Sequence, residues 1–170
     1  FGRANHTKLF KGSASYGKWF KETFFGFRLH LKITDLGMIK NFVVAPANYH
    51  DIDFVKPLLD GDKDCWVLGD KGYCSYKLKK ELLKEHNIYF HTSLRRNDKR
   101  TSLLPKEIIR KLTGKRRLIE TVNGQLEEHF SIKKTFARDL WHLINRLIRK
   151  IVSHTVCVLL NLKFNRDPLK

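Results

Sequence analysis

From Phe25 to Ile33 the chain alternates strictly. Phe25, Phe27, Leu29, Leu31 and Ile33 are apolar, with Gly26, Arg28, His30 and Lys32 between them. A period of two predicts a half-buried strand whose basic face, His30 included, meets solvent or a polyanion. Asp35-Leu36-Gly37 carries turn chemistry, and Met38–Ala45 reads as the return strand, ended by Pro46. Asn48–Asp51 offers helix caps, His50 and Asp51 among them, before Ile52, Val55 and Leu59 at helical spacing. Beyond Gly61-Asp62, the continuous apolar run Cys65–Leu68 is the pattern of a strand buried on both faces. A helix is predicted over Tyr76–His86, with Leu78, Leu82 and Leu83 inward and Asn87 closing it, followed by a short strand at Ile88–Phe90.

The second half reads as helical. Pro105 opens a short helix through Ile108, Ile109 and Leu112, which ends at Thr113-Gly114. A further helix over Lys115–Glu128 carries Ile119, Val122 and Leu126 as its apolar stripe and Arg116, Glu120, Asn123 and Glu127 on another face. The last helix, Asp139–Leu162, has Leu140, Ile144, Leu147, Ile151 and Val158 as its core stripe, with Arg146, Arg149 and Lys150 outside. Residues 1–23 contain Gly and Ser among basic and aromatic residues and are expected to be an irregular, basic lead-in. Trp66 and Trp141 read as core; Trp19 reads as core or as a base-stacking residue. A hairpin followed by alternating strands and helices argues for an α/β protein with a sheet of mixed direction.

Composition narrows the function. The 170 residues hold 34 Lys+Arg against 17 Asp+Glu, a formal charge of +17. Residues 1–90 carry 15 basic and 10 acidic side chains, net +5; residues 91–170 carry 19 and 7, net +12. Such an excess points to a polyanion, most commonly nucleic acid, with a merely soluble basic protein as the bland alternative. With 42% hydrophobic residues the chain can build a core, which argues against disorder. No charge-free apolar run reaches the length of a membrane span, and no lipidation motif is evident. Phe1-Gly2-Arg3 opens a polar stretch without the pattern of a signal peptide. Since the first residue is not Met, the chain reads as a piece of a longer one. Cys65, Cys74 and Cys157 follow no zinc spacing and are odd in number, so reduced, partly buried thiols in a cytoplasmic protein are expected.

Two carboxylates draw attention. Asp70 ends the predicted strand Cys65–Leu68, where open α/β sheets gather their ligands, although Asp-x-Gly is also an ordinary turn signal. Glu120 sits one helical turn after Arg116, an arrangement that a solvated ion pair explains equally well. Together with their neighbours they carry a resemblance. The segments Phe25–Leu31, Ala45–Asp51, Leu68–Tyr73 and Arg117–Thr121, with 49 residues between Asp70 and Glu120, resemble in content and order the DDE transposases of bacterial insertion sequences. The likeness runs from about residue 16 to 160.

The resemblance implies an RNase H-like mixed sheet flanked by helices over residues 24–170, with a long C-terminal amphipathic helix. By it, Asp70 is the second catalytic aspartate and Glu120 the catalytic glutamate. They would act as ligands of two Mg²⁺ (or Mn²⁺) ions that cut and join DNA strands at transposon ends. The two carboxylates are expected to face each other across one cleft. The family's first aspartate ends a central strand that precedes the segment matching Phe25–Leu31, and residues 1–23 hold no counterpart. The fragment is therefore expected to lack that strand and to be inactive alone. Phe25–Ile33 would then stand apart, pair with Cys65–Leu68, or recruit residues from 1–20. Arg95, Arg96, Lys99, Arg100, Arg116 and Arg117 are the candidate DNA contacts. The Lys that the family often carries after the glutamate has no secure match, because Glu127 stands there and Lys133 and Lys134 follow. Double-stranded DNA, no membrane, a homo-oligomer when complete, and a bacterial cytoplasmic, nucleoid-associated location complete the expectation. The alternatives are a catalytically inactive DNA-binding remnant and another RNase H-like nuclease.

Overall fold

The computed structural model describes residues 10, 12–19, 22–92 and 106–170. The chain divides into two compact units, Phe1–Tyr49 with Leu118–Lys170, and His50–Arg117.

In the first unit, strands β1 (Ser15–Trp19), β2 (Glu22–Ile33) and β3 (Ile39–Pro46) form an antiparallel sheet in that order. The hairpin falls where the alternation places it. Thr34 closes its turn: its N–H donates to the Met38 carbonyl at 2.8 Å, and its hydroxyl accepts from the N–H groups of Leu36 and Met38. Gly37 lies there at φ +85°, the left-handed region that glycine enters without strain. Strand β1 corrects the expectation of an irregular lead-in. Residues 15–19 pair with residues 22–26, while Phe27–Ile33 pair with β3. Of the three outcomes foreseen for Phe25–Ile33, recruitment of residues from 1–20 is found only at its start, where Phe25 and Gly26 pair with Tyr16 and Ser15. One of the glycines that suggested a loop has a packing cause instead, since a Cβ on buried Gly17 would stand 2.6 Å from the Ala47 carbonyl oxygen.

Two long helices complete this unit's core. Helix α3 (Lys106–Glu128) enters it from Leu118 onward, and α4 (Leu140–Lys163) belongs to it throughout. Val122 and Leu126 of α3, Ile151 of α4 and Ile39 of β3 pack together, with Leu29, Leu31, Ile33 and Phe42 against them. The odd-numbered face of β2 is thus the core face, as its pattern predicts. His30, expected to meet solvent or DNA, is buried; a polar position in an alternating strand tolerates water without being guaranteed it. The expected break at Gly114 is also absent. Each interior glycine, Gly114 and Gly124, costs only about 1 kcal/mol, which a helix of 23 residues absorbs.

Asp139 caps helix α4, its carboxylate accepting from the His142 N–H at 2.8 Å. Its buried stripe is Leu143, Leu147, Ile151, His154 and Val158; Leu140 is exposed and Ile144 half-buried. Trp141, expected in the core, is 68% exposed. Two basic residues expected outside tie down the preceding loop. The Lys150 ammonium donates to the Ser131 carbonyl at 2.6 Å, and the Arg146 guanidinium donates to that of Thr135.

His154 is the polar member of this core. Its Nε2 lies 2.9 Å from the Gln125 side-chain oxygen, the Gln125 amide donates to the Leu169 carbonyl at 2.7 Å, and Nδ1 is buried without a partner. Charging the ring would place a second N–H where no acceptor waits, and burial pushes its pKa below the usual histidine range. A depressed histidine pKa means that the unfolded chain binds the proton first. The stabilising contribution is complete above about pH 6.5 and is lost as pH falls from there through the folded value. His91 is shifted the same way by burial and Lys79. Chemical denaturation at pH 7.5 and 5.5 should therefore show a loss of stability toward acid. His154→Leu should make that loss smaller, and an unchanged slope would remove His154 from the account.

The second unit is built around β4 (Trp66–Gly69) and β5 (Tyr89–Thr92), a parallel pair. Helix α1 (Val55–Leu58), preceded by a 3₁₀ turn over Asp51–Phe54, and helix α2 (Tyr76–His86) pack on it. Val55, Leu59, Leu78, Leu82, Ile88 and Phe90 are its core. The boundaries of α2 follow its caps: the Ser75 hydroxyl accepts from the Leu78 N–H, and Asn87 takes the left-handed conformation at φ 53°. Leu83, expected inward, is exposed on the helix's other side. His50 makes no side-chain cap to the 3₁₀ turn. Strand β4 is not buried on both faces: Trp66 is exposed and Val67, Leu68 and Gly69 are only half-buried, and β5 is its only strand partner among the described residues. Trp66, expected in the core, is 47% exposed and stacks on Tyr89 with ring centroids 4.6 Å apart.

The α/β character and the long C-terminal helix stand. The described strands nevertheless form two sheets, not the single mixed sheet expected. The three cysteines are free, with Cys157 exposed rather than partly buried. Among the described residues no helix is long and apolar enough to cross a membrane.

Candidate active site

Asp70 follows directly on β4, at the carboxyl end of a parallel strand. Its position depends on two glycines. A Cβ on Gly69 would lie 2.8 Å from the Phe90 ring, so only glycine lets that buried ring cover the strand end. A Cβ on Gly72 would lie 2.5 Å from an Asp51 carboxylate oxygen, so Asp51 packs directly on the turn that holds Asp70. Gly69→Ala is expected to cost about 1–3 kcal/mol through overpacking. A thermal melt within 1 °C of the parent would show that the ring moves aside freely.

Asp70 itself is extended, at φ −73° and ψ 169°, and its carbonyl accepts from the Tyr73 N–H at 3.0 Å, opening a 3₁₀ turn over Lys71–Tyr73. The carboxylate makes no cap to that turn. It accepts instead from the Arg116 guanidinium at 2.8 Å, in an exposed ion pair. The turn reading of Asp70 therefore accounts for its backbone and not for its side chain. Arg116, expected to face Glu120 or a phosphate, neutralises Asp70 from 46 residues away. No local spacing signals such a pairing.

Glu120 lies on α3 one turn beyond Arg116, in the first unit, with an exposed side chain. Buried Val122 and Leu126 fix the helix by its opposite side, so Arg116, Glu120, Asn123 and Glu127 share the exposed face that the pattern predicts. Glu127 pairs with Lys133 at 2.6 Å. Arg117 is exposed. Arg95, Arg96, Lys99 and Arg100 lie outside the described residues.

A family model for the transposase DDE domain matches residues 1–140, most of the chain and both carboxylates. The chain belongs to the DDE transposase family. No curated protein and no solved structure matches it. A DDE transposase generally uses divalent metal, and the donor chemistry here suits one: Asp70 and Glu120 offer exposed, hard carboxylate oxygens of the kind that Mg²⁺ and Mn²⁺ prefer. Among the described residues no three His, Cys, Asp or Glu side chains group as a ready-made cage. The structure adds two residues that sequence reasoning assigned differently. Asp51 packs on the turn that follows Asp70, and Arg116 holds the Asp70 carboxylate.

Proposed function

We propose that this chain is catalytic-domain sequence of a DDE transposase with an RNase H-like domain over residues 24–170, for metal-dependent DNA cleavage and strand transfer at transposon ends. The observation that carries this is Asp70: a carboxylate at the end of a parallel strand, exposed, unused by its own turn and held by a guanidinium, in a chain of transposase family. Asp70 and Glu120 are the catalytic and metal-binding carboxylates. Bound divalent ions would neutralise the scissile phosphate and activate a water or a 3′-hydroxyl. Arg116 orients the Asp70 carboxylate, and its exposed guanidinium, with Arg117, is suited to a DNA phosphate. Arg95, Arg96, Lys99 and Arg100 belong to the same basic half and extend that contact. The partner is duplex DNA, both transposon end and target, in the bacterial cytoplasm.

The test uses the protein at its full natural length, Mg²⁺ or Mn²⁺, and a plasmid carrying the DNA that flanks its own reading frame. Nicks at the ends, followed by joined products, are expected. Binding without any metal-dependent product would favour the DNA-binding remnant, and cleavage without joining would favour another nuclease of this fold.

A further inference from the structure

Strand β3 is the last strand of its sheet, and among the described residues no strand pairs with its outer edge. The backbone shows which groups that edge presents. The Phe42 N–H donates to the side-chain oxygen of its own neighbour, Asn41, at 2.8 Å. It therefore faces away from β2, together with the Phe42 carbonyl. Alternate residues of an antiparallel strand turn the same way, so Val44 offers its N–H and carbonyl to this edge as well. Asn41 shields one of these donors, a local cover of the kind that edge strands need.

Helix α4 walls the space beside this edge. Ile39 and Phe42 of β3 and Ile151, Val152, Thr155 and Val156 of α4 line a groove of about 230 Å³. Val152 and Val156 are exposed, so the helix carries an apolar surface past the last strand of the sheet. Charge then selects the occupant. Neither β3 nor α4 contains an acidic residue. Lys40 lines the groove. Arg149 and Lys163 are exposed on α4, one turn before Val152 and two turns after Val156.

We propose that this edge and groove bind an extended, acidic peptide segment of another protein. The segment adds to β3 as a further strand, sets its apolar side chains against Val152 and Val156, and is drawn in by the surrounding cations. Strand addition of this kind takes its affinity from main-chain hydrogen bonds and its specificity from alternate side chains. A nucleic acid has no alternating N–H and C=O groups to offer such an edge. The proposal stands on β3 and α4 and does not depend on the catalytic reading.

The test is fluorescence anisotropy of a labelled peptide of alternating Val and Glu, eight residues long like β3, titrated with the 170-residue chain. Saturable binding is expected, and the same peptide with Lys in place of Glu should bind at least about tenfold more weakly. Val156→Glu should weaken binding by about tenfold or more, because it puts a carboxylate into the apolar wall. Cys157→Glu adds the same charge outside the groove and should leave binding within about threefold. Methylating the peptide's Val nitrogens or its Glu nitrogens should have unequal effects, since only one set of N–H groups faces β3. Circular dichroism verifies that both protein variants keep their helices. Absence of binding, equal sensitivity to Val156→Glu and Cys157→Glu, or equal effects of the two methylations would overturn the proposal. An oligothymidine that displaces the peptide and is itself weakened by Val156→Glu would also overturn it, and assign the groove to nucleic acid.

Discussion

Raising NaCl from 50 to 200 mM is expected to weaken binding of duplex DNA by about 10³–10⁵-fold, if the protein contacts roughly 6–10 phosphates. The basis is the uneven charge, net +12 in residues 91–170 from 19 basic and 7 acidic side chains. Each phosphate neutralised releases counterions, so the logarithm of affinity should fall linearly with the logarithm of salt. The structure trims the set of available cations. Arg146 and Lys150 are engaged with loop carbonyls and Lys133 with Glu127, and the candidate contacts remain Arg95, Arg96, Lys99, Arg100, Arg116 and Arg117. Fluorescence anisotropy with a labelled duplex reads the slope. Arg117→Ala should reduce it by about one phosphate's worth, and affinity that is flat across this range would exclude a phosphate-dominated interface.

The second large effect concerns catalysis. In the protein at its full natural length, Asp70→Asn or Glu120→Gln is expected to lower metal-dependent cleavage by on the order of 10³-fold or more. DNA affinity should stay within about threefold. An amide keeps the volume of a carboxylate and loses the charge and the lone pairs that a hard cation requires. Asp70→Asn should also loosen Arg116, whose partner it neutralises, while Glu120→Gln leaves that pair intact. Exposed ion pairs contribute only about 0.2–1 kcal/mol, so neither change should unfold the protein. Retained cleavage in either variant would move the active site elsewhere.

Much of the local structure was legible because local rules decide it. The hairpin follows from strict alternation and the Asp35-Leu36-Gly37 turn, and α2 from its leucine spacing and Asn87. The misplaced features have physical causes of another kind. Helix α4 is apolar on two faces, so its periodicity places Leu147, Ile151 and Val158 of the core stripe correctly but does not separate Leu143 and His154, which are buried, from Leu140 and Ile144. Gly17 is glycine for want of space against Ala47, which sequence cannot distinguish from glycine in a loop. Of the candidate site, both carboxylates were legible through the family resemblance, and the exposed face of Glu120 through helical spacing. The Arg116–Asp70 pair and the seating of Asp51 against Gly72 were not, because both join segments far apart in sequence.

The central claim is that Asp70 and Glu120 are metal ligands. Paramagnetic broadening by Mn²⁺, followed residue by residue in the NMR spectrum of this chain, tests it most directly. Signals of residues 69–71 and 119–121 should broaden over the same range of Mn²⁺ concentration, ahead of other acidic positions such as Asp35 and Asp167. Each set should recover in its own amide variant. Broadening that begins elsewhere, or that spares either carboxylate, would contradict the assignment.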